Sequence, residues 1–397
     1  MLADVIGGTI AATGRRVLYA GVAATPTTGV LVREHKAAGG LQISASHNPP
    51  EYNGIKLFSS EGRVISAVDG QKVLERYQAG RYAWVTHETI GTITSTTATL
   101  DAHWNRVANT VDIQKIRKKR LSVLLDANHG SGSLLARKLL EELGCKVKIL
   151  GGEPNGRFEH PPEPIEENLR GVVDMVKERE ADIGFCQDPD ADRLAVIDET
   201  GRYLGEEHTL AMCVDHMLRR RKGPIVTNCS TSRMTEDLAI KYGVPFYRSA
   251  VGEANVCDLM IAKEAILGGE GNGGVIDPRV GFVRDSFVGM AMILEAMASR
   301  DKKASQLADE LPKYEIHKHK IRFPNAALTA GYAALEKHFP DAKVDKLDGL
   351  RFDWDNRWLL VRPSNTEPVV RAIAEAPTDA EAERLCKEAG KVLGVLV

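Results

Sequence analysis

Short apolar runs alternate with stretches whose apolar residues recur at helical spacing along most of the chain. That pattern predicts α/β architecture with largely parallel or mixed sheets. Ala3 to Gly14 reads as a helix and Val17 to Ala20 as a strand. A helix after Pro26 and a strand from Leu41 to Ser44 complete a first unit. The plan returns as strand Leu121–Asp126, helix Ser131–Leu143 and strand Val147–Leu150. It returns again as strand Ile225–Cys229, helix Ser230–Tyr242 and strand Pro245–Arg248. A spacing of about a hundred residues is far too long for a solenoid, so three similar domains in tandem are expected. Helices are expected at Glu206–Arg220 and Asp285–Ser299 as well.

The last stretch has a different rhythm. Strand-like Tyr314–Phe323 leads into a helix near Ala326–His338. Strand-like Gly349–Asp353, Trp358–Arg362 and Val369–Ala374 follow, then a helix from about Thr378. This suits a small α+β domain with an antiparallel sheet. The expected domains are 1–104, 105–205, 206–315 and 316–397. No low-complexity linker separates them, so they should pack together.

Composition narrows the function. Lys and Arg (52) nearly balance Asp and Glu (54), so no general attraction to nucleic acid or an anionic membrane is expected. The six cysteines form no C-x-x-C pair, which argues against a zinc site or disulfide framework. Reduced core thiols and a cytoplasmic setting are expected instead. No run approaches the ~18 apolar residues of a membrane span, and the start lacks the basic region of a signal peptide.

Four motifs carry chemistry. In Ser44-Ala45-Ser46-His47-Asn48-Pro49-Pro50 a strand ends in a proline-stiffened loop. Ser46 there is a candidate nucleophile or phosphate carrier, against the plainer reading of a turn or helix cap. Asp188-Pro189-Asp190-Ala191-Asp192-Arg193 places three carboxylates at i, i+2 and i+4, which repel unless a cation lies between them. Their hard oxygens suit Mg²⁺ or Ca²⁺. Arg193 stands where an EF-hand needs glycine, and Leu194–Ile197 reads as a strand, which argues against an EF-hand. In Gly268-Gly269-Glu270-Gly271-Asn272-Gly273-Gly274, five glycines surround a carboxylate and an amide suited to sugar hydroxyls. A glycine-rich turn explains that run equally well. Arg362-Pro363-Ser364-Asn365-Thr366-Glu367-Pro368, with Arg371 after it, has the makings of a phosphate cradle.

In this order, the four motifs resemble the α-D-phosphohexomutase family, and the resemblance covers essentially the whole chain. It implies four domains around a central cleft and an isomerase that interconverts hexose or hexosamine 1- and 6-phosphates. By resemblance Ser46 is the phosphoryl carrier and His47 supports it. Asp188, Asp190 and Asp192 bind Mg²⁺, with the phosphate on Ser46 completing the coordination. Glu270 and Asn272 recognise the sugar. Arg362, Ser364, Asn365, Thr366 and Arg371 bind the second phosphate. Lys56, in Tyr52-Asn53-Gly54-Ile55-Lys56, matches the family's acid/base lysine, and Arg193 is expected to meet the phosphoryl oxygens. The implied cofactors are Mg²⁺ and hexose 1,6-bisphosphate as activator. The implied partner is a phosphosugar, with no nucleic acid or membrane, for a monomer or homodimer.

Two departures stand out. The family's sugar loop usually reads G-E-x-S-G followed by His, whereas Asn272 and Gly274 occupy the Ser and His positions here. The glycine- and arginine-containing segment with which members usually begin is not found before Met1. Two alternative readings follow: an inactive sugar-phosphate-binding protein, or a metal-dependent sugar phosphatase. A calcium-binding module fits least.

Overall fold

The computed structural model describes residues 1–48, 51–96, 98–324, 327–363 and 369–394. The second and third α/β units share one plan. In the second, the strand order is Lys146–Leu150, Ser122–Asp126, Ile183–Gln187, Leu194–Asp198; the first three are parallel and the last antiparallel. In the third it is Phe246–Ser249, Ile225–Asn228, Leu267–Glu270, Gly274–Ile276, with the same senses. The central strands are apolar on both faces because helices cover both, as a parallel sheet requires. In each unit the strand that comes first in sequence lies second across the sheet.

The first unit departs from this plan. Val17–Tyr19 pairs in parallel with Ile93–Ser95, and Gly39–Ile43 pairs antiparallel with Ile55–Ser59. Among the described residues no ladder joins these two-stranded ribbons. Most exposed large apolar side chains also fall in this unit, among them Val5, Val68, Tyr77, Tyr82, Trp84 and Ile90. The helix Ala67–Gln78 buries none of its residues.

The helix Ser286–Arg300 runs through the main core and is buried from Ser286 to Ala298. It is apolar almost all round, the signature of a helix enclosed by protein. Its one core carboxylate, Glu295, is satisfied by His216 Nε2 at 2.7 Å and by Arg220. The C-terminal unit is an antiparallel sheet in the order Glu315–Arg322, Val369–Ala376, Trp358–Pro363, Leu350–Asp353, Lys343–Asp345. The helix Asp379–Gly394 packs on it over a separate core that includes Phe352, Leu359, Ala372 and Leu385.

Most predicted elements are present, with bounds shifted by a few residues. The glycine-rich run forms a tight turn between an antiparallel pair, Leu267–Glu270 and Gly274–Ile276. Gly273, at φ 81, makes the turn, and a Cβ there would lie 2.2 Å from Leu194 O. That close approach sets the turn directly against the strand that leaves the acidic motif. Five cysteines are buried, Cys145 is half-buried, and all six are unpaired thiols. Among the described residues no helix is long and apolar enough to cross a membrane.

Candidate active site

Three motifs occupy equivalent positions in the three α/β units. Ser46 follows the strand Gly39–Ile43, Asp188 follows Ile183–Gln187, and Glu270 ends Leu267–Glu270. Each of these strands borders its unit's antiparallel partner. The crevice beyond the carboxyl ends of strands is where open α/β sheets bind ligands.

The acidic motif is buried: Asp188, Asp190 and Asp192 are each at most 1% exposed. One oxygen from each lies within 4.8 Å of the others. Burial, and then repulsion from Asp190 and Asp192, pushes the Asp188 carboxyl well above the usual carboxylate range. Burial acts on Asp192 in the same sense, but Arg284, Lys56 and Arg193 outweigh it and hold that group below its ordinary value. Asp190 Oδ1 and Asp192 Oδ1 are buried without a hydrogen-bond partner. Such orphaned oxygens carry a desolvation cost that a bound hard cation removes. The residues therefore fit a divalent ion.

Ser46 reaches this cluster directly. Its Oγ lies 3.2 Å from Asp188 Oδ2 and 3.2 Å from His47 Nδ1. Its φ of 52° is left-handed, and its N–H donates to Ser44 Oγ at 2.9 Å. Burial and the nearby Arg193 lower the pKa of His47, which favours neutral imidazole at pH 7. Lys56 Nζ donates to Asp190 Oδ2 at 2.7 Å and to Asp192 Oδ2 at 2.8 Å. Burial opposes its charge, but those two carboxylates prevail and hold it as an ammonium ion. Arg193 donates its backbone N–H to Asp188 Oδ1 at 3.0 Å, and its side-chain Nε is buried without a hydrogen-bond partner, 3.9 Å from Asp192 Oδ1.

Glu270 is engaged by the protein itself. Its Oε1 accepts from Asn228 Nδ2 at 2.8 Å and from Gly252 N at 3.1 Å, and its Oε2 accepts from Arg284 Nη1 at 2.8 Å. Asn272 Nδ2 approaches the same Oε2 at 3.4 Å, while Asn272 Oδ1 is buried and unpartnered. The amide oxygen is thus the acceptor left over in this turn.

Arg362 and Arg371 lie directly opposite each other on neighbouring strands, and Lys320 lies opposite Arg371 on its other side. Residues opposite one another share a face of the sheet, so the three cations form one row. Arg362 Nε also lies 3.2 Å from Asp348 Oδ2, which accepts from Val251 N at 2.9 Å beside the Glu270 contact. Ser364, Asn365 and Thr366 lie outside the described residues.

Several neighbours of the site were not found from sequence. Arg284 bridges Asp192 Oδ2, at 2.7 Å, and Glu270 Oε2. Thr25 Oγ1 donates to Asp190 Oδ2 at 2.6 Å. Neither stands in a motif. Lys320 carried a weak signal only as one of several basic residues on an edge strand.

Comparison with known proteins identifies the family of all four domains. The chain matches the phosphoglucomutase/phosphomannomutase family's α/β/α domain I over residues 1–83, domain II over 101–201 and domain III over 206–314. The family's C-terminal domain matches residues 320–391. Over 397 residues the chain is 37% identical to a phosphoglucomutase/phosphomannomutase of Thermococcus kodakarensis, covering 99% of this chain and 87% of the relative. It is 34% identical over 387 residues to a probable phosphoglucosamine mutase of Thermococcus gammatolerans, covering 96% and 85%. A family member from Burkholderia thailandensis has a crystal structure that superposes with a TM-score of 0.86 at 26% identity, covering 99% and 86%. The N-acetylphosphoglucosamine mutase of Aspergillus fumigatus, solved with GlcNAc-6P and magnesium, shares the fold at a TM-score of 0.59 and 16% identity, covering 93% and 92%. Fold and relatives define an α-D-phosphohexomutase, an enzyme of the isomerase class. The chain belongs to the phosphoglucomutase/phosphomannomutase family.

Proposed function

We propose that the enzyme interconverts hexose or hexosamine 1-phosphates and 6-phosphates through a phosphoryl group carried on Ser46. The observation that carries this reading is Ser46 Oγ 3.2 Å from Asp188 Oδ2, at the edge of a carboxylate cluster with two unsatisfied oxygens. The names of the relatives support this substrate class, since they include phosphoglucomutase/phosphomannomutase and phosphoglucosamine mutase.

Asp188, Asp190 and Asp192 would hold the divalent cation. When bound, Mg²⁺ supplies charge neutralisation for the phosphoryl oxygens. Phospho-Ser46 gives its phosphoryl group to a sugar hydroxyl. The Ser46 Oγ–P bond breaks, a bond from phosphorus to the sugar oxygen forms, and the hydroxyl proton leaves to a base. The resulting 1,6-bisphosphate turns over, and its other phosphate returns to Ser46. Lys56 brings a positive charge and a donatable proton to this centre. It serves as a base only once Asp190 and Asp192 release it. Arg193 Nε makes no hydrogen bond within the protein and can offer one to a phosphoryl oxygen. Arg362 and Arg371, with Ser364, Asn365 and Thr366, hold the phosphate that does not react. One clamp serves both orientations because the two phosphates exchange places across the same span. Glu270 fixes the sugar turn, and Asn272 Oδ1 is the acceptor that faces a sugar hydroxyl or amino group.

The test is isomerisation with Mg²⁺ and a trace of hexose 1,6-bisphosphate, with glucose, mannose, glucosamine and N-acetylglucosamine phosphates in parallel. Turnover of at least one pair is expected. Phosphate release without isomerisation would replace the mutase reading with a phosphatase, and binding without turnover would replace it with a binding protein.

A further inference from the structure

Two helices from different parts of the chain point their N-termini at the acidic motif. Helix Thr25–Glu34 holds it from one side: Thr25 N donates to Asp190 O at 2.9 Å, and Thr25 Oγ1 donates to Asp190 Oδ2 at 2.6 Å. Helix Ser286–Arg300 holds it from the other: Ser286 Oγ donates to Ala191 O at 2.7 Å and accepts from Gln187 Nε2 at 2.7 Å. Both helix ends place partial positive charge beside the carboxylates. Ala191, the second of the two anchored residues, sits at φ 57°. A left-handed alanine costs about 1–2 kcal/mol, so this conformation persists only because its surroundings impose it.

One buried residue joins the two helices. His103 Nδ1 lies 2.9 Å from Thr27 Oγ1, and His103 Nε2 lies 2.7 Å from Asp285 Oδ2. His103 is 0% exposed and packs edge-on to Phe287 at 5.2 Å. Thr27 is two residues beyond Thr25 on the first helix. Asp285 immediately precedes Ser286 and caps the second helix, its Oδ1 accepting from Phe287 N and Val288 N. Among the described hydrogen bonds the Thr27 hydroxyl has no other acceptor, so it donates to Nδ1. Nε2 is then the ring nitrogen that donates to the Asp285 carboxylate. A slide of either helix by an ångström would break one of these two bonds. It would also pull Asp190 and Ala191 apart through their tethers.

We propose that His103 is a positioning residue: it yokes helix Thr25–Glu34 to helix Ser286–Arg300 and thereby fixes the spacing of the Asp188, Asp190 and Asp192 oxygens for a divalent cation. The inference rests on the reading of that cluster as the metal site. His103 touches none of the reacting groups, so its effect is on metal affinity first and turnover second.

The test titrates Mn²⁺ into the full chain without substrate, follows free Mn²⁺ by electron paramagnetic resonance, and checks folding by circular dichroism. Wild type is expected to bind and Asp190→Asn to lose binding. Thr27→Val and His103→Leu are expected to weaken Mn²⁺ affinity roughly ten-fold or more, the range seen when partners behind a metal ligand are removed. Thr27→Ser, which keeps the hydroxyl, should bind as wild type. His103→Leu strands the Asp285 carboxylate, so if it does not fold, Thr27→Val decides alone. Wild-type affinity in folded Thr27→Val overturns the yoke, and so does equal weakening in Thr27→Ser, which would show that packing rather than the hydrogen bond matters. If the wild type itself binds no Mn²⁺, the metal-site reading falls and takes this inference with it. If the wild type binds and Asp190→Asn does not, only the yoke is at stake.

Discussion

Arg284 donates to Asp192 Oδ2 at 2.7 Å with one guanidinium nitrogen and to Glu270 Oε2 at 2.8 Å with the other. A single side chain thus ties the acidic motif to the glycine-rich turn. Its backbone N–H also donates to Glu253 Oε1 at 2.8 Å. Burial opposes the guanidinium charge, but Asp192, Glu270 and Glu253 prevail and raise its pKa well above the ordinary arginine value.

Arg284→Met should therefore be severe. It leaves buried carboxylates without their counter-charge, a change that typically costs about 3–5 kcal/mol. A large fall in melting temperature and loss of turnover are expected. Arg284→Lys keeps the charge but cannot span two partners as the planar fork does, so it should recover stability better than activity. Thermal unfolding and kcat measured on both variants check this. A Met variant as stable as wild type would refute the bridge.

Ser46→Ala should abolish isomerisation, with turnover down by roughly 10³-fold or more, the scale of losing a covalent carrier. The fold should survive, because Ser46 is half-buried in a turn. At φ 52° alanine is strained and glycine is not, so Ser46→Gly should be equally inactive but at least as stable. Turnover in either variant would remove Ser46 from the mechanism.

Lys320 shares a row with Arg371 and Arg362. Lys320→Ala should raise KM for the phosphosugar about two- to five-fold at low ionic strength with little change in kcat, as expected for one exposed charge contact. The difference should shrink as salt screens it. An unchanged KM at low salt would show that the row does not reach the ligand.

Burial raises the Glu206 carboxyl to about 7, even though Arg193 and Lys318 pull it down. Its Oε1 is enclosed and has no hydrogen-bond partner. Between about pH 4.5 and 7 the folded chain keeps a proton that the unfolded chain has released. Stability from this group is therefore present at low pH and lost as pH rises through that window. Glu206→Gln should raise the melting temperature at pH 8, by the equivalent of about 1–3 kcal/mol, and much less at pH 5. Equal gains at both values would contradict the assignment.

Chemistry packed into a short stretch was readable from the chain. Asp188, Asp190 and Asp192 announce a cation because three carboxylates within five residues are costly without one. Their meeting with Ser46 was available only through resemblance, since 142 residues separate Ser46 from Asp188. Arg284, Thr25 and His103 carry no local signal. Each is an isolated residue of ordinary type, and its role exists only once tertiary packing brings distant helices to one loop. The glycine-rich run was ambiguous for a different reason. Glycine has no side-chain pattern, so strands made of it show no period, and the hairpin is seen only once it pairs with the strand Ile225–Asn228. Long apolar elements such as Glu206–Arg220 were legible because burial imprints the pattern directly. Helix Ala67–Gln78 was not, since it buries nothing and its sequence is free of that constraint.

The ribbon Gly39–Ile43 with Ile55–Ser59 carries Ser46 at one end and Lys56 in its second strand, yet among the described residues it is two strands wide. The ribbon packs on helix Thr25–Glu34 through the small cluster Val32, Phe58 and Val283, whereas the four-stranded sheets beneath the acidic motif and the glycine-rich turn are larger cooperative units. Amide hydrogen exchange should therefore report a steep gradient across the candidate site. Protection should be low in Gln42 and Ile43 and close to global in Leu125 and Phe185. The proposed phosphoryl carrier would then ride on a part of the molecule that opens readily, and the carboxylates that would hold the cation would stay still.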